Sequence, residues 1–110
     1  NTANYDGYWG YAWPNLAVNI YDGGFSLERI VPLNTQQTSI EYLYFFADTI
    51  DEEVISDRLE MSRQVTLEDL TICNAIQQNL RSGCYQAGQL SPKHENGVIA
   101  FHKWLQEAKE

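Results

Sequence analysis

The chain has 110 residues, with seven Lys and Arg against fifteen Asp and Glu, a net charge of -8 and a pI near 4.5. This balance argues against a phosphate-backbone or anionic-membrane partner, because such binding needs clustered cations. A chain of this size buries about 65% of its unfolded surface, enough for one core, and no apolar run approaches the roughly 18 residues that span a bilayer; a single soluble domain over residues 1–110 is expected.

The polar start Asn1-Thr2-Ala3-Asn4 resembles no signal peptide. The chain opens without Met, which suggests that part of the machinery lies upstream. Tyr5, Tyr8, Trp9, Tyr11 and Trp13 then crowd nine positions, dense enough for an extra strand or a pocket rim. Core packing is the ordinary role of aromatics at this density, given the area such rings bury, and ligand contact is the alternative.

From about residue 8 to 47 the pattern is that of strands. Leu16, Val18 and Ile20 alternate in one run, Phe25 to Leu33 forms a second, and Ile40, Tyr42, Tyr44 and Phe46 alternate in a third. Asp22-Gly23-Gly24 is a strong turn signal between the first two, and Asn34-Thr35-Gln36-Gln37 a weaker one between the others. An antiparallel meander follows. Ala17, Leu43, Phe45 and Ala47 occupy the alternate positions beside Asn19 and Glu41, so both sheet faces are expected to touch protein or ligand.

From about 52 to 109 the period is helical. Val54, Ile55, Leu59 and Met61 predict a short helix headed by Asp51-Glu52-Glu53. A second runs from Thr66 to about Arg81 and stops at Gly83, and a last one starts near Glu95 with Val98, Phe101 and Leu105 on one side. Strands first and helices afterwards make an α+β fold.

Asp69 is the one suggestive chemical signal. It lies at i of the series Asp69, Cys73, Ile76, Leu80, which a helix stacks on one face. A carboxylate heading an apolar stripe must be hydrogen-bonded, paired or bound to a metal, since burying an isolated charge costs many kcal/mol. Thr66-x-x-Asp69 also fits a capping box, in which the acid folds back to the cap amide. Glu68 reads as a solvated first-turn acid. His94 and His102, eight positions apart, match no metal spacing. Cys73 and Cys84, eleven positions apart, stand about 16 Å from each other if they share a helix, too far for a disulfide; they read as free thiols in a reducing cytoplasm, most simply as small buried hydrophobes.

A larger likeness runs through the chain in order: Trp13-Pro14-Asn15-Leu16-Ala17-Val18-Asn19-Ile20-Tyr21, Arg29-Ile30-Val31-Pro32-Leu33, Gln64 through Cys73, Gly88-Gln89-Leu90-Ser91-Pro92, and Glu95 through His102. This succession resembles the C-terminal half of the catalytic domain of Rieske non-haem iron oxygenase large (alpha) subunits, the ring-hydroxylating dioxygenases and their monooxygenase relatives that act on quaternary ammonium compounds. The resemblance implies a helix-grip fold, in which a curved antiparallel sheet wraps a long helix around a ligand cavity. The family's Glu-Asp-x-x-x-Cys pattern matches Glu68-Asp69-Leu70-Thr71-Ile72-Cys73 and assigns to Asp69 the carboxylate of a facial triad of two histidines and one aspartate on mononuclear Fe(II). Asn74 stands where the family usually has Glu after the Cys.

The family's Asp-x-x-His-x-x-x-x-His segment and the Cys-x-His and Cys-x-x-His pairs of its [2Fe-2S] Rieske cluster are not in this sequence. One ligand of three is present, so the piece alone is expected to be inactive. In a full subunit the resemblance implies electrons from NAD(P)H through a reductase, sometimes with a ferredoxin, a homotrimer, and O2 chemistry on a small-molecule substrate lodged between sheet and helices. Asn19, Tyr42 and Tyr44 are the candidate pocket residues, with packing or edge solvation as the plainer reading. The competing expectations are a metal-free helix-grip module carrying a small apolar ligand, and a non-catalytic piece that assembles with another chain.

Overall fold

The computed structural model describes residues 7–110, so Tyr5 and the polar start lie outside the described residues. Four strands precede two helices: β1 (Tyr8–Ala12), β2 (Leu16–Tyr21), β3 (Gly24–Asn34), β4 (Gln37–Phe46), α1 (Glu52–Arg81) and α2 (Asn96–Glu107). The sheet is an antiparallel meander in the order β1-β2-β3-β4, and the α+β expectation holds. Contacts group the chain into two units: one ends at Thr66 and contains the sheet with the first half of α1, and the other, Leu67–Glu110, contains the rest of α1 and α2.

Turn chemistry sets the register. Asp22-Gly23 is a two-residue loop between the paired residues Tyr21 and Gly24, and Gly23 takes a φ of 76°, which a side chain adopts only at a cost. A methyl group there would also lie 2.5 Å from Ile50 Cδ1. Gly23→Ala is therefore expected to destabilise the protein by about 1–3 kcal/mol, read as a lower urea midpoint. The second loop is fastened by Asn34, whose Oδ1 accepts the Gln36 amide at 2.9 Å, and a bulge between Pro32 and Asn34 absorbs a proline that cannot donate to the ladder.

The extra aromatic strand exists, as β1, but its residues are not core. Tyr8 and Trp9 are 75% and 74% exposed, because β1 is an edge strand with no partner on its outer side among the described residues.

Register sorts the sheet into two unlike faces. Asn19, Tyr21, Ser26, Glu28, Tyr42, Tyr44 and Phe46 share one, together with Ala17, Ile30 and Ile40; Leu16, Val18, Ile20, Phe25, Leu27, Leu43 and Phe45 share the other, with the Arg29–Glu41 ion pair at 2.6 Å among them. The apolar alternations of the first and third runs thus point to opposite faces.

The two helices expected before Gly83 are one helix of 30 residues. Thr66 caps nothing: its hydroxyl donates to the Ser62 carbonyl at 2.8 Å, the back-bonding open to a threonine inside a helix. The capping-box reading of Thr66 and Asp69 is therefore corrected. So is the apolar side inferred from Val54, Leu59 and Met61, which are exposed. The half-buried positions of the first half of α1 are Ile55, Arg58, Ser62 and Thr66, a stripe at helical spacing whose polar members suit a polar sheet face. The helix ends as expected, with Gly83 at a φ of 74° just beyond it.

In the second unit Glu95 closes the turn before α2. Its Oε2 accepts the Ser91 amide at 2.7 Å and its carbonyl accepts the Ile99 amide at 3.0 Å. Val98 and Leu105 are exposed and Phe101 half-buried. Cys73 and Cys84 are free, as expected, and exposed rather than buried. Among the described residues no apolar side chain is fully buried; the most protected residue is Ser26, 5% exposed.

Candidate functional site

The protected centre of the first unit is the polar face of the sheet beneath the start of α1. Asn19 on β2 stands opposite Ser26 on β3, and Glu28 lies two residues further along the same face. The Asn19 amide donates to Glu28 Oε1 at 2.6 Å and to Ser26 Oγ at 3.3 Å. On β4, Tyr42 pairs with Glu28 and Tyr44 with Ser26. The two tyrosine rings stack with centroids 6.2 Å apart and planes 11° apart.

Helix α1 is tied to this face by polar contacts. Tyr44 and Ser62 share a hydroxyl hydrogen bond of 2.6 Å. Arg58 donates to the Asp22 carbonyl at 2.7 Å and sets its guanidinium 5.7 Å from the centre of the Tyr21 ring, a cation over an aromatic face. The three pocket candidates, Asn19, Tyr42 and Tyr44, are thus brought onto one face and are all half-buried. Sequence reading missed Ser26, Glu28, Arg58 and Ser62, which complete the cluster. The two-residue loop at Asp22-Gly23 was the available signal, since it fixes Asn19 opposite Ser26.

Burial pushes the Tyr21 hydroxyl above its ordinary value of 10.0; the Arg58 guanidinium opposes the shift, Tyr44 adds to it and a hydrogen bond with Ser26 opposes it. With the folded value raised, the stability gained by keeping Tyr21 neutral is intact below about pH 10 and is lost as pH climbs through the raised value. Tyr21→Phe is expected to flatten that alkaline loss, measured by urea unfolding between about pH 9 and pH 11.

Asp69 lies elsewhere, in the second unit, and it is exposed. It occupies the middle of α1, not a positive helix end, so the helix dipole gives its charge no help there. Cys73, Ile76 and Leu80, the rest of its expected apolar stripe, are exposed as well, so no burial forces a partner on Asp69 and that inference is corrected. Among the described residues no three His, Cys, Asp or Glu side chains group together to hold a metal; His94 and His102 are both exposed. A carboxylate is a hard oxygen donor of the kind a facial triad uses, but no described histidine stands with Asp69 to complete one.

A family model, described as ring hydroxylating alpha subunit (catalytic domain), matches residues 1–110. The chain belongs to that family. Its similarity to curated relatives is modest: 26% identity over 102 residues with choline monooxygenase, chloroplastic, of Spinacia oleracea, covering 91% of this chain and 23% of the relative. The enzyme of the same name from Arabidopsis thaliana is 26% identical over 98 residues, 84% of this chain and 23% of the relative. The chain therefore spans about a quarter of the length of the curated relatives it matches. No solved structure gives a significant match. The four-stranded antiparallel sheet followed by a long helix agrees with that family's α+β catalytic domain.

Proposed function

We propose that this chain is the C-terminal portion of the catalytic domain of a Rieske-type non-haem iron oxygenase that hydroxylates an aromatic or quaternary-ammonium substrate with O2 and electrons drawn from NAD(P)H. The family match over residues 1–110 carries the reading, and the similarity to choline monooxygenases points it toward small organic substrates.

In this reading Asp69 lends one carboxylate to Fe(II), and the rest of the subunit supplies two histidines and a [2Fe-2S] Rieske cluster. Bound iron supplies the activation of dioxygen. The residues of this chain do the holding. Tyr42, Tyr44 and Asn19 present the substrate side of the sheet; Ser62 and Arg58 clamp α1 over it. A reductase, with or without a ferredoxin, delivers the electrons to a homotrimer, and the cytoplasm is the compartment. No described helix is long and apolar enough to cross a membrane. Residues 1–110 by themselves hold one iron ligand and do not turn over.

Metal analysis of the full-length subunit tests the proposal. The expected result is mononuclear iron together with iron–sulfur absorbance, and product formation that depends on a reductase and O2. A full-length protein that binds a small apolar ligand yet contains neither iron nor cluster would overturn it in favour of a metal-free carrier.

A further inference from the structure

Glu28 is a half-buried carboxylate without an ion pair among the described residues. Its Oε1 is held by the neutral Asn19 amide at 2.6 Å, and Oε2 takes no hydrogen bond among the described residues. The cation on the same face, Arg58, is committed to the Asp22 carbonyl and the Tyr21 ring. A charge kept in part from water calls for a counter-charge.

The surroundings say which kind. Tyr42 faces Glu28 across the β3–β4 ladder, with side chains about 5 Å apart, and it stacks on Tyr44. A carboxylate beside aromatic rings attracts a bulky, weakly hydrated organic cation through both charge and ring quadrupole. A neutral aromatic substrate would leave the Glu28 charge uncompensated.

We propose that Glu28, oriented by Asn19, is the specificity-determining residue of this sheet face and makes it select organic cations over neutral molecules of the same shape. The inference rests on the oxygenase reading only for where substrate sits. Asn19 acts through Glu28 and is a positioning residue.

The test uses the full-length subunit and two probes, choline and its uncharged isostere with carbon in place of nitrogen, each titrated by calorimetry. The native protein is expected to prefer choline. Glu28→Gln preserves shape and an oxygen acceptor for Asn19, and it should reduce the choline-to-isostere affinity ratio by about tenfold or more. Glu28→Asp should keep most of the preference. Glu41→Gln removes the same charge from the opposite sheet face and should leave the ratio unchanged. Equal loss in Glu28→Gln and Glu41→Gln, or no preference in the native protein, would overturn the proposal. Because binding needs no turnover, an absence of iron or of product would count against the oxygenase reading and not against Glu28.

Discussion

Asp69→Ala in the full-length subunit is expected to abolish hydroxylation and to strip the mononuclear iron while leaving the iron–sulfur absorbance intact. Outer residues that merely orient a metal ligand cost about 10–100-fold when removed, so loss of a ligand itself should lower turnover by at least roughly a hundredfold. The family match places the chain in an alpha-subunit catalytic domain, and Glu68-Asp69-Leu70-Thr71-Ile72-Cys73 is the segment that resembles its ligand motif. Glu68→Ala, one position away on the same exposed stretch of α1, should retain iron. Iron content and turnover measured on both variants separate a ligand from a nearby surface charge. Parallel behaviour of the two variants would remove Asp69 from the metal centre.

The second large effect concerns the helix that carries this acid. If Thr66 capped a new helix, Leu67 would be its first residue, where proline is well tolerated. In the continuous helix Glu52–Arg81, proline at 67 removes the amide that bonds the Arg63 carbonyl and clashes with it, at a cost of about 3 kcal/mol or more. Leu67→Pro is therefore expected to lower both helical circular dichroism and the thermal midpoint markedly. Retention of both would restore the two-helix arrangement.

The helix start expected at Thr66, where α1 in fact runs through, shows where sequence reasoning stops. Thr66, Glu68 and Asp69 carry the signature of an N-terminus, and nothing local reveals that the chain is already helical when it arrives. The preceding residues, Arg63-Gln64-Val65, contain no glycine or proline to end a helix, and the Thr66 hydroxyl finds its partner one turn back at Ser62. Gly83 was legible because its left-handed backbone belongs to residues without a side chain.

The sheet was legible in its turns and alternations, and less so in its faces. Alternation marks Tyr42, Tyr44 and Asn19, whereas nothing local distinguishes Glu28 from its neighbour Arg29 in the run from Phe25 to Leu33. Only pairing across two ladders sets it between Asn19 and Tyr42. Burial was the least legible property: Tyr8, Trp9 and Cys73 read as interior by type and are exposed. Side-chain chemistry states what a residue favours, whereas the surface available to cover it is set by tertiary contacts that no local pattern encodes.

The most direct test of the whole account is an anomalous difference map at the iron edge from crystals of the full-length subunit. The account predicts a single mononuclear iron peak, apart from the cluster, within coordination distance of an Asp69 carboxylate oxygen and bound by two histidines from elsewhere in the subunit. A mononuclear iron held without Asp69, or crystals of active protein with no such peak, would contradict it.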